Sequence, residues 1–223
     1  MIMKQNKYNL ENNISRSKYV PYILLLASIC FVLITTLVVI FPSNAIDIGF
    51  TLMIQHYQSA FLDKFMTAIS VFGHIKISVP MVLATAIIFL LFKKKKESLF
   101  IVFTAAAGIV SSLVKYFVNR PRPPKSIVRL IEVTHQQSFP SGHVLFYTVF
   151  FGFILYLMFK LKDASFYLRL VVSSICVLMI VLVFFSRIYL GAHWLSDVLA
   201  SYFLGILCLY VLIYFYELKN YKI

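Results

Sequence analysis

Charged residues are scarce in this chain. Asp, Glu, Lys and Arg make up 13% of its 223 residues, whereas 61% are hydrophobic. A soluble domain of this length needs a more polar surface, so the composition argues against one and favours an integral membrane protein. Six runs lack all four charged residue types: 19–46, 77–92, 98–114, 133–159, 170–186 and 198–216. Because about 20 mainly apolar residues cross a bilayer as a helix, we predict an all-α bundle of six transmembrane helices near 20–41, 68–92, 98–118, 143–160, 167–185 and 194–216.

The chain also lacks a C-x-x-C motif, an internal repeat and a low-complexity tract. Its three cysteines, Cys30, Cys176 and Cys208, fall inside predicted spans, where free thiols behave as small apolar residues. They therefore do not indicate a redox compartment. The first apolar run is too long for a typical signal peptide, so we expect it to be retained. We predict one membrane domain over 20–217, an N-terminal segment over 1–19 and a tail over 218–223.

The basic residues are distributed unevenly between the two ends of the predicted bundle. Of the 21 Lys and Arg residues, thirteen lie in the N-terminal segment, the loops at 93–96 and 160–169, and the tail. Cytoplasmic loops carry such an excess, so we predict that both termini are cytoplasmic in a bacterial plasma membrane. With the chain placed in a membrane, the net charge of +13 no longer points to a nucleic-acid partner.

Eight cations remain on the predicted outer side, and six of them lie between 115 and 129 or at 187. An anionic ligand is the simplest reason for cations there, and contact with lipid headgroups is the alternative. We expect Arg120, Lys125 and Arg129 to favour a multiply charged headgroup.

The region 41–68 is predicted to be an outer loop with an amphipathic stretch. Its apolar side chains would lie on the membrane surface, while Asp47, His56, Asp63 and Lys64 would face water. Three histidines outside the motifs described next, His56, His74 and His135, are expected to have no catalytic role.

Three short motifs concentrate the polar residues of the second half: Lys115–Pro123, Pro140–His143 and Ser186–Asp197. The predicted spans bring all three to the same outer face. His193 and Asp197 are four residues apart in a predicted helix, and therefore on one face. A carboxylate on one imidazole nitrogen fixes the tautomer and leaves the other nitrogen as a nucleophile, for which phosphorus is a suitable target.

The remaining motif residues suit the binding of a phosphoryl group. Lys115, Arg122 and Arg187 can neutralise its oxygens. Ser141 and Gly142 open a predicted helix whose first N–H groups are unpaired and can bind an anion. His143 is then placed to protonate the leaving oxygen as a general acid. The motifs contain no acidic cluster for magnesium, so we predict a reaction without a metal or another cofactor.

Together these motifs resemble the signature of the type 2 phosphatidic acid phosphatase superfamily: Lys, six residues, Arg-Pro; Pro-Ser-Gly-His; and Ser-Arg, five residues, His, three residues, Asp. The resemblance covers Lys115–Asp197 with every signature position filled. It implies a phosphohistidine at His193, oriented by Asp197. It also implies that His143 serves as acid and then as base, and that the phosphate is held by Lys115, Arg122, Ser141, Gly142 and Arg187. Vanadium haloperoxidases share the constellation, but on soluble scaffolds.

We therefore predict a membrane-bound lipid phosphate phosphatase with an outward-facing site. Its substrate would be phosphatidate, phosphatidylglycerol phosphate, undecaprenyl diphosphate or lipid A. Two alternatives remain open: a phosphotransferase that passes the phosphoryl group to a lipid or sugar hydroxyl, and a non-enzymatic anion-binding protein or transporter. The sequence leaves the oligomeric state and the choice between monophosphate and diphosphate undecided.

Overall fold

The computed structural model describes residues 18–132, 134 and 136–218, and within that part of the chain every regular element is helical. The helices are α1 (Val20–Ile40), α2 (Ala45–Gln55), α3 (Ala60–Ser70), α4 (Ile75–Leu91), α5 (Lys95–Phe103), α6 (Ala106–Val118), α7 (Gly142–Lys160), α8 (Phe166–Tyr189) and α9 (Leu195–Leu218), with a 3₁₀ turn at Val71–Gly73 between α3 and α4. Most of the N-terminal segment, most of the tail and His135 lie outside the described residues.

Five apolar stretches are long enough to cross a membrane: α1, the joined pair α5–α6, α7, α8 and α9. A sixth span results if the segment Ala60–Gly73 and α4, which meet at 61°, count as one. The all-helical fold with five or six candidate spans agrees with the predicted multi-pass architecture. The second span differs from the straight helix predicted over 68–92, because the chain bends at Gly73 and His74.

Short polar side chains start several of these helices. Asn44 and Ser59 accept hydrogen bonds from the backbone N–H groups of Asp47 and Leu62, and so cap α2 and α3. Asn119 ends α6 in the left-handed conformation, at φ 46°. Asparagine tolerates this conformation well, so the chain can leave α6 sharply into the loop over 119–141. This loop is called the proline-rich loop because it contains Pro121, Pro123, Pro124 and Pro140.

Helix α7 lies at the centre of the bundle, and most of its residues are buried against α8 and α9. Glycines allow the close approach. A Cβ atom added at Gly205 of α9 would lie 2.7 Å from the Thr148 side chain, and one added at Gly152 would lie 2.7 Å from Leu209. Small residues at helix contacts are typical of membrane bundles, in which backbones pack closely.

The predicted outer loop over 41–68 is wrong in one respect. The segment folds into two helices, α2 and α3, and Asp47 does not face water because only 1% of it is exposed. A buried carboxylate needs a partner, and Asp47 finds it in Arg120. His56, in contrast, is exposed as predicted.

Candidate active site

His193 lies in the short loop between α8 and α9, one residue before Trp194. Its Nδ1 atom is 3.6 Å from Oδ2 of Asp197, so the two side chains face each other at a distance longer than a hydrogen bond. The predicted pair is therefore brought together, but His193 precedes the helix instead of lying on it. Catalytic hydrogen bonds are often long without substrate and shorten in the complex.

Asp197 is the third residue of α9 and organises the start of that helix. Its Oδ2 atom accepts hydrogen bonds from the Trp194 N–H at 2.9 Å and from the hydroxyl of Ser138. An acid at this position that reaches back to the N-terminal N–H forms half of a capping box. The carboxylate thus fixes the turn that carries His193, in addition to facing the imidazole.

Arg120 holds the other oxygen of Asp197, which corrects the prediction that it meets a lipid headgroup. The guanidinium is 2% exposed and lies 2.5 Å from Oδ1 of Asp197 and 2.7 Å from Oδ2 of Asp47. It also donates to the Pro42 carbonyl at 2.8 and 2.9 Å. A buried ion network therefore ties α2 and the proline-rich loop to the start of α9, next to the loop that carries His193. Arg129 is likewise paired, with Asp63 on the surface.

Arg122 reaches the opposite side of the His193 ring. Its Nη1 atom is 3.4 Å from Nε2 of His193 and donates to the Ala192 carbonyl at 2.6 Å. The nitrogen that faces the cation is therefore Nε2, while Nδ1 faces the acid. This arrangement points Nε2 at any anion that Arg122 binds.

Lys115, near the end of α6, holds the loop before the second motif. Its ammonium donates to the carbonyls of Gln137 at 2.6 Å and Pro140 at 2.8 Å, with Ser138 at 3.4 Å. These bonds use the three protons of the ammonium group. The lysine thus positions Ser141, and a direct contact with phosphate requires it to exchange one of these carbonyls.

Helix α7 begins at Gly142, with Ser141 as its N-cap residue, as predicted. The serine side chain makes no capping bond and is fully buried, so its hydroxyl and the first N–H groups are available to an anion. A Cβ atom at Gly142 would lie 3.2 Å from the Ser111 hydroxyl, a tight contact that would require Ser111 to shift by a few tenths of an ångström. His143 follows in the first turn.

Arg187 lies in the last turn of α8 and is paired with Glu132, which the sequence interpretation did not include in the site. Its Nη1 and Nη2 atoms donate to the two carboxylate oxygens at 2.6 and 2.9 Å, and Nη1 also donates to Ser70. Arg187, which was predicted to neutralise phosphoryl oxygens, is thus already bound to an acid. The small number of acidic residues was the available signal for this pair, because a buried arginine requires an acidic partner.

The bend between α3 and α4 forms a further wall of the site and places His74, for which no catalytic role is predicted, beside His143. The rings of His74 and His143 meet edge to face, with centroids 4.9 Å apart. A Cβ atom at Gly73 would lie 2.2 Å from Cδ2 of His143, so only glycine leaves room for this ring. No sequence pattern places His74 beside His143, because their contact joins segments that are 69 residues apart.

The positive charges around His193 act in one direction. Burial lowers the pKa of His193 well below its ordinary value, and the positive charges of Arg122, Arg187 and Lys115 add to the effect. The imidazole is therefore neutral and keeps a lone pair. Burial and the charge of Arg187 lower the pKa of Arg122 to about 10, which leaves it protonated at neutral pH.

Glu132 remains ionised. Burial would raise the pKa of this carboxyl group, but the charge and hydrogen bonds of Arg187, together with His74 and the Ser70 hydroxyl, outweigh burial and lower the pKa below its ordinary value. Arg187 and Glu132 are thus a charged pair beside the site.

Several buried polar atoms of the motifs have no hydrogen-bond partner among the described residues. They are Ser141 Oγ, His143 Nε2, Arg187 Nε, His193 Nδ1 and Trp194 Nε1, five of the seven such side-chain atoms. Buried polar groups are normally paired, so their concentration in one place indicates a binding site for a polar ligand.

An apolar groove of about 940 Å³ lies elsewhere, between α5–α6, α7 and α9. Phe100, Phe215 and Leu218 line it near the end of the bundle opposite the motifs. None of the three motifs contributes to its lining. The groove is therefore separate from the site that the three motifs form.

Known proteins resemble this chain in sequence and in structure. It is 26% identical over 157 residues to phosphatidylglycerophosphatase B of Bacillus subtilis, covering 69% of this chain and 75% of that protein. It is 28% identical over 196 residues to undecaprenyl-diphosphatase of Sulfolobus acidocaldarius, covering 84% and 87% of the two chains. The crystal structure of a transmembrane PAP2-type phosphatidylglycerolphosphate phosphatase from Bacillus subtilis superposes with a TM-score of 0.75, at 23% identity, and covers 88% of this chain and 96% of its own.

The model of the PAP2 superfamily matches residues 96–221, more than half of the chain and all three motifs. The matching fold of the crystal structure and the helices long enough to span a bilayer agree with this assignment. The chain therefore belongs to the PAP2 superfamily and is a multi-pass membrane protein.

Proposed function

We propose that the protein is a lipid phosphate phosphatase that transfers the phosphoryl group to His193 and then to water. The observation that carries the proposal is the convergence of three separate motifs on one polar site, with unpaired buried donors beside a neutral imidazole. The relatives' names support a phosphate ester or diphosphate of a membrane lipid as substrate. PAP2 membership and these relatives make the chain a phosphoric ester hydrolase.

In the first half-reaction, the Nε2 lone pair of His193 attacks phosphorus, and the bond to the ester oxygen breaks. His143 gives a proton to that oxygen as it leaves. Arg122, Arg187 and the N–H groups at the start of α7 stabilise the charge of the phosphoryl oxygens. Asp197 stabilises the positive charge that His193 acquires.

In the second half-reaction, water attacks the phosphohistidine. His143, now neutral, takes a proton from the water, and the phosphorus–nitrogen bond breaks. Inorganic phosphate leaves, and both imidazoles return to their starting states. No step in this sequence requires a metal ion.

We further propose that the site faces the extracytoplasmic side of a bacterial plasma membrane, with both termini in the cytoplasm. Ion pairs support a common end for the predicted cytoplasmic loops, since Lys94 pairs with Asp163 and Lys160 pairs with Glu217. The three motifs lie at the other end. An outer-leaflet lipid could then place its headgroup in the site while its tail remains in the bilayer.

The test is phosphate release by the purified protein in detergent with EDTA present. The substrates are phosphatidate, phosphatidylglycerol phosphate, undecaprenyl diphosphate and lipid A. We expect His193→Ala to reduce turnover to background and His143→Ala to reduce it about 10²- to 10⁴-fold. His56→Ala is the matched control, because this histidine is exposed and outside the site.

Trapping with ³²P-labelled substrate identifies the intermediate. We expect an acid-labile label on His193 that disappears in His193→Ala. Unchanged phosphate release in that variant would refute the proposal. Label that moves to an added lipid or sugar acceptor in preference to water would instead identify a phosphotransferase.

A further inference from the structure

Three metal-ligating side chains meet beside the proposed phosphate site. His74, Glu132 and His143 each offer one donor atom, and these atoms all lie within 4.8 Å of one another. They come from the α3–α4 bend, the proline-rich loop and the first turn of α7. We propose that the trio binds a zinc ion, and that zinc bound there inhibits the enzyme by occupying the imidazole of His143.

The geometry requires only a small closure. With ligand distances of about 2.0–2.2 Å and tetrahedral angles, two donors on one zinc ion are separated by about 3.4 Å. The donor atoms lie within 4.8 Å of one another, so side-chain rotation must bring them closer by at most about 1.4 Å. Gly73 leaves room for the His143 ring beside the trio, because a Cβ atom at this position would lie 2.2 Å from Cδ2 of that ring.

Two of the three donors have free lone-pair capacity. Nε2 of His143 is buried and has no hydrogen-bond partner in the described part of the chain. Within the described part of the chain, Oε1 of Glu132 accepts one hydrogen bond, from Arg187 at 2.9 Å, and a carboxylate oxygen can accept two. Arg187 would then act as the outer partner that orients a ligating carboxylate, an arrangement common around protein-bound metals.

The donor set selects the metal. Two imidazoles and one carboxylate suit zinc, with a fourth position open to water or phosphate, whereas magnesium prefers oxygen ligands only. The charges of Arg122 and Arg187 repel a dication and weaken its binding. Zinc should therefore bind reversibly, as an inhibitor and not as a resident cofactor.

Inhibition follows from the role proposed for His143. A nitrogen lone pair that is bound to zinc cannot carry the proton that the leaving oxygen needs. The binding claim is independent of the proposed function, whereas the inhibition claim rests on it.

Equilibrium dialysis of the purified protein against zinc, without substrate, tests the binding. We expect the wild type to bind one zinc ion more tightly, by at least about tenfold, than His74→Ala or the polar variant His74→Gln. His56→Ala is the control for a surface histidine and should match the wild type. Equal zinc binding by the wild type and both His74 variants would overturn the proposal.

Phosphate release then tests inhibition, with each variant compared with its own rate in EDTA. We expect zinc, but not magnesium, to inhibit the wild type and His56→Ala, and the His74 variants to need at least about tenfold more zinc. Inhibition that is equal in all variants would refute inhibition through this site. Zinc binding that depends on His74 in a protein without phosphatase activity would refute the proposed function and leave the metal site standing.

Discussion

At the scale of the residue, the site depends on one imidazole with different neighbours on its two nitrogens. Asp197 faces Nδ1 of His193, and Arg122 faces Nε2. Because the ring is buried among cations, its neutral form is favoured, and this is the form with a lone pair for attack. The cations that are proposed to bind phosphate therefore also keep the His193 imidazole neutral.

This environment predicts a pH dependence. A lowered pKa keeps His193 neutral at pH values below its ordinary range near 6.5, so the acidic limb of kcat/KM should lie below pH 6.5. Replacing Arg122 by Gln removes a positive charge, which should raise the pKa of His193 and move the limb to higher pH. The measurement is a kcat/KM profile, corrected for the separately measured ionisation of the substrate. A limb above pH 6.5 in the wild type, or no movement in Arg122→Gln, would contradict this account.

At the scale of the element, the site is built where helices begin, end or bend. His143 and Asp197 lie in the first turns of α7 and α9, Arg187 and Lys115 lie in the last turns of α8 and α6, and Gly73 marks the bend between α3 and α4. The N-terminal ends of helices have unpaired backbone N–H groups that suit anions, and the bend brings a glycine against the ring of His143. Two glycines provide tests at this scale.

Gly73→Ala should reduce turnover by at least about tenfold while leaving the protein folded. The added Cβ atom would lie 2.2 Å from the His143 ring, which must move away from the leaving group. Turnover and thermal unfolding of the same detergent preparation provide the measurement. Gly108→Ala is the matched control, since a Cβ atom there meets nothing within 4 Å. Equal turnover in the two variants would show that the His143 ring tolerates the displacement.

Gly191→Ala should affect both stability and activity. Gly191 has φ of +71°, and an added Cβ atom would lie 2.3 Å from the Arg129 carbonyl. The left-handed conformation alone costs an alanine about 1–2 kcal/mol, and the clash adds to this cost. We expect a lower unfolding temperature and weaker phosphate release, because the loop carries His193. A variant as stable and active as Gly108→Ala would be inconsistent with a strained loop.

At the scale of the whole molecule, a buried ion network connects distant segments. Asp47, Arg120 and Asp197 come from α2, the proline-rich loop and α9, and all three are almost fully buried. Removing one member of such a network leaves uncompensated charge in an apolar interior. The network therefore supports the arrangement of the bundle around the site as well as the loop that carries His193.

Arg120→Ala should destabilise the protein by about 3–5 kcal/mol, since Asp47 and Asp197 lose their shared partner. Arg129→Ala is the matched control. Its pair with Asp63 is partly exposed, and such pairs contribute about 0–1 kcal/mol. Thermal unfolding in detergent compares the two variants. A similar loss of stability in both would show that burial of the Arg120 network has little energetic effect.

Hydropathy and local motifs allowed much of this protein to be predicted from its sequence. Apolar runs identified the spans because a bilayer admits only helices whose backbone groups are paired internally. The order of the motifs placed the predicted site residues at one end of the bundle, and the structure brings them together. The individual roles of those residues remain proposals.

Only the tertiary structure decided which polar residues pair with one another. Asp47 was predicted to face water and Arg120 to face a ligand, yet they lie buried together. Glu132 and His74 became neighbours of Arg187 and His143 through contacts across 55 and 69 residues, which local patterns do not encode. The physical reason is that hydropathy measures the cost of burying a charge. Whether a particular charge is buried depends on a partner, and only the folded chain supplies that partner.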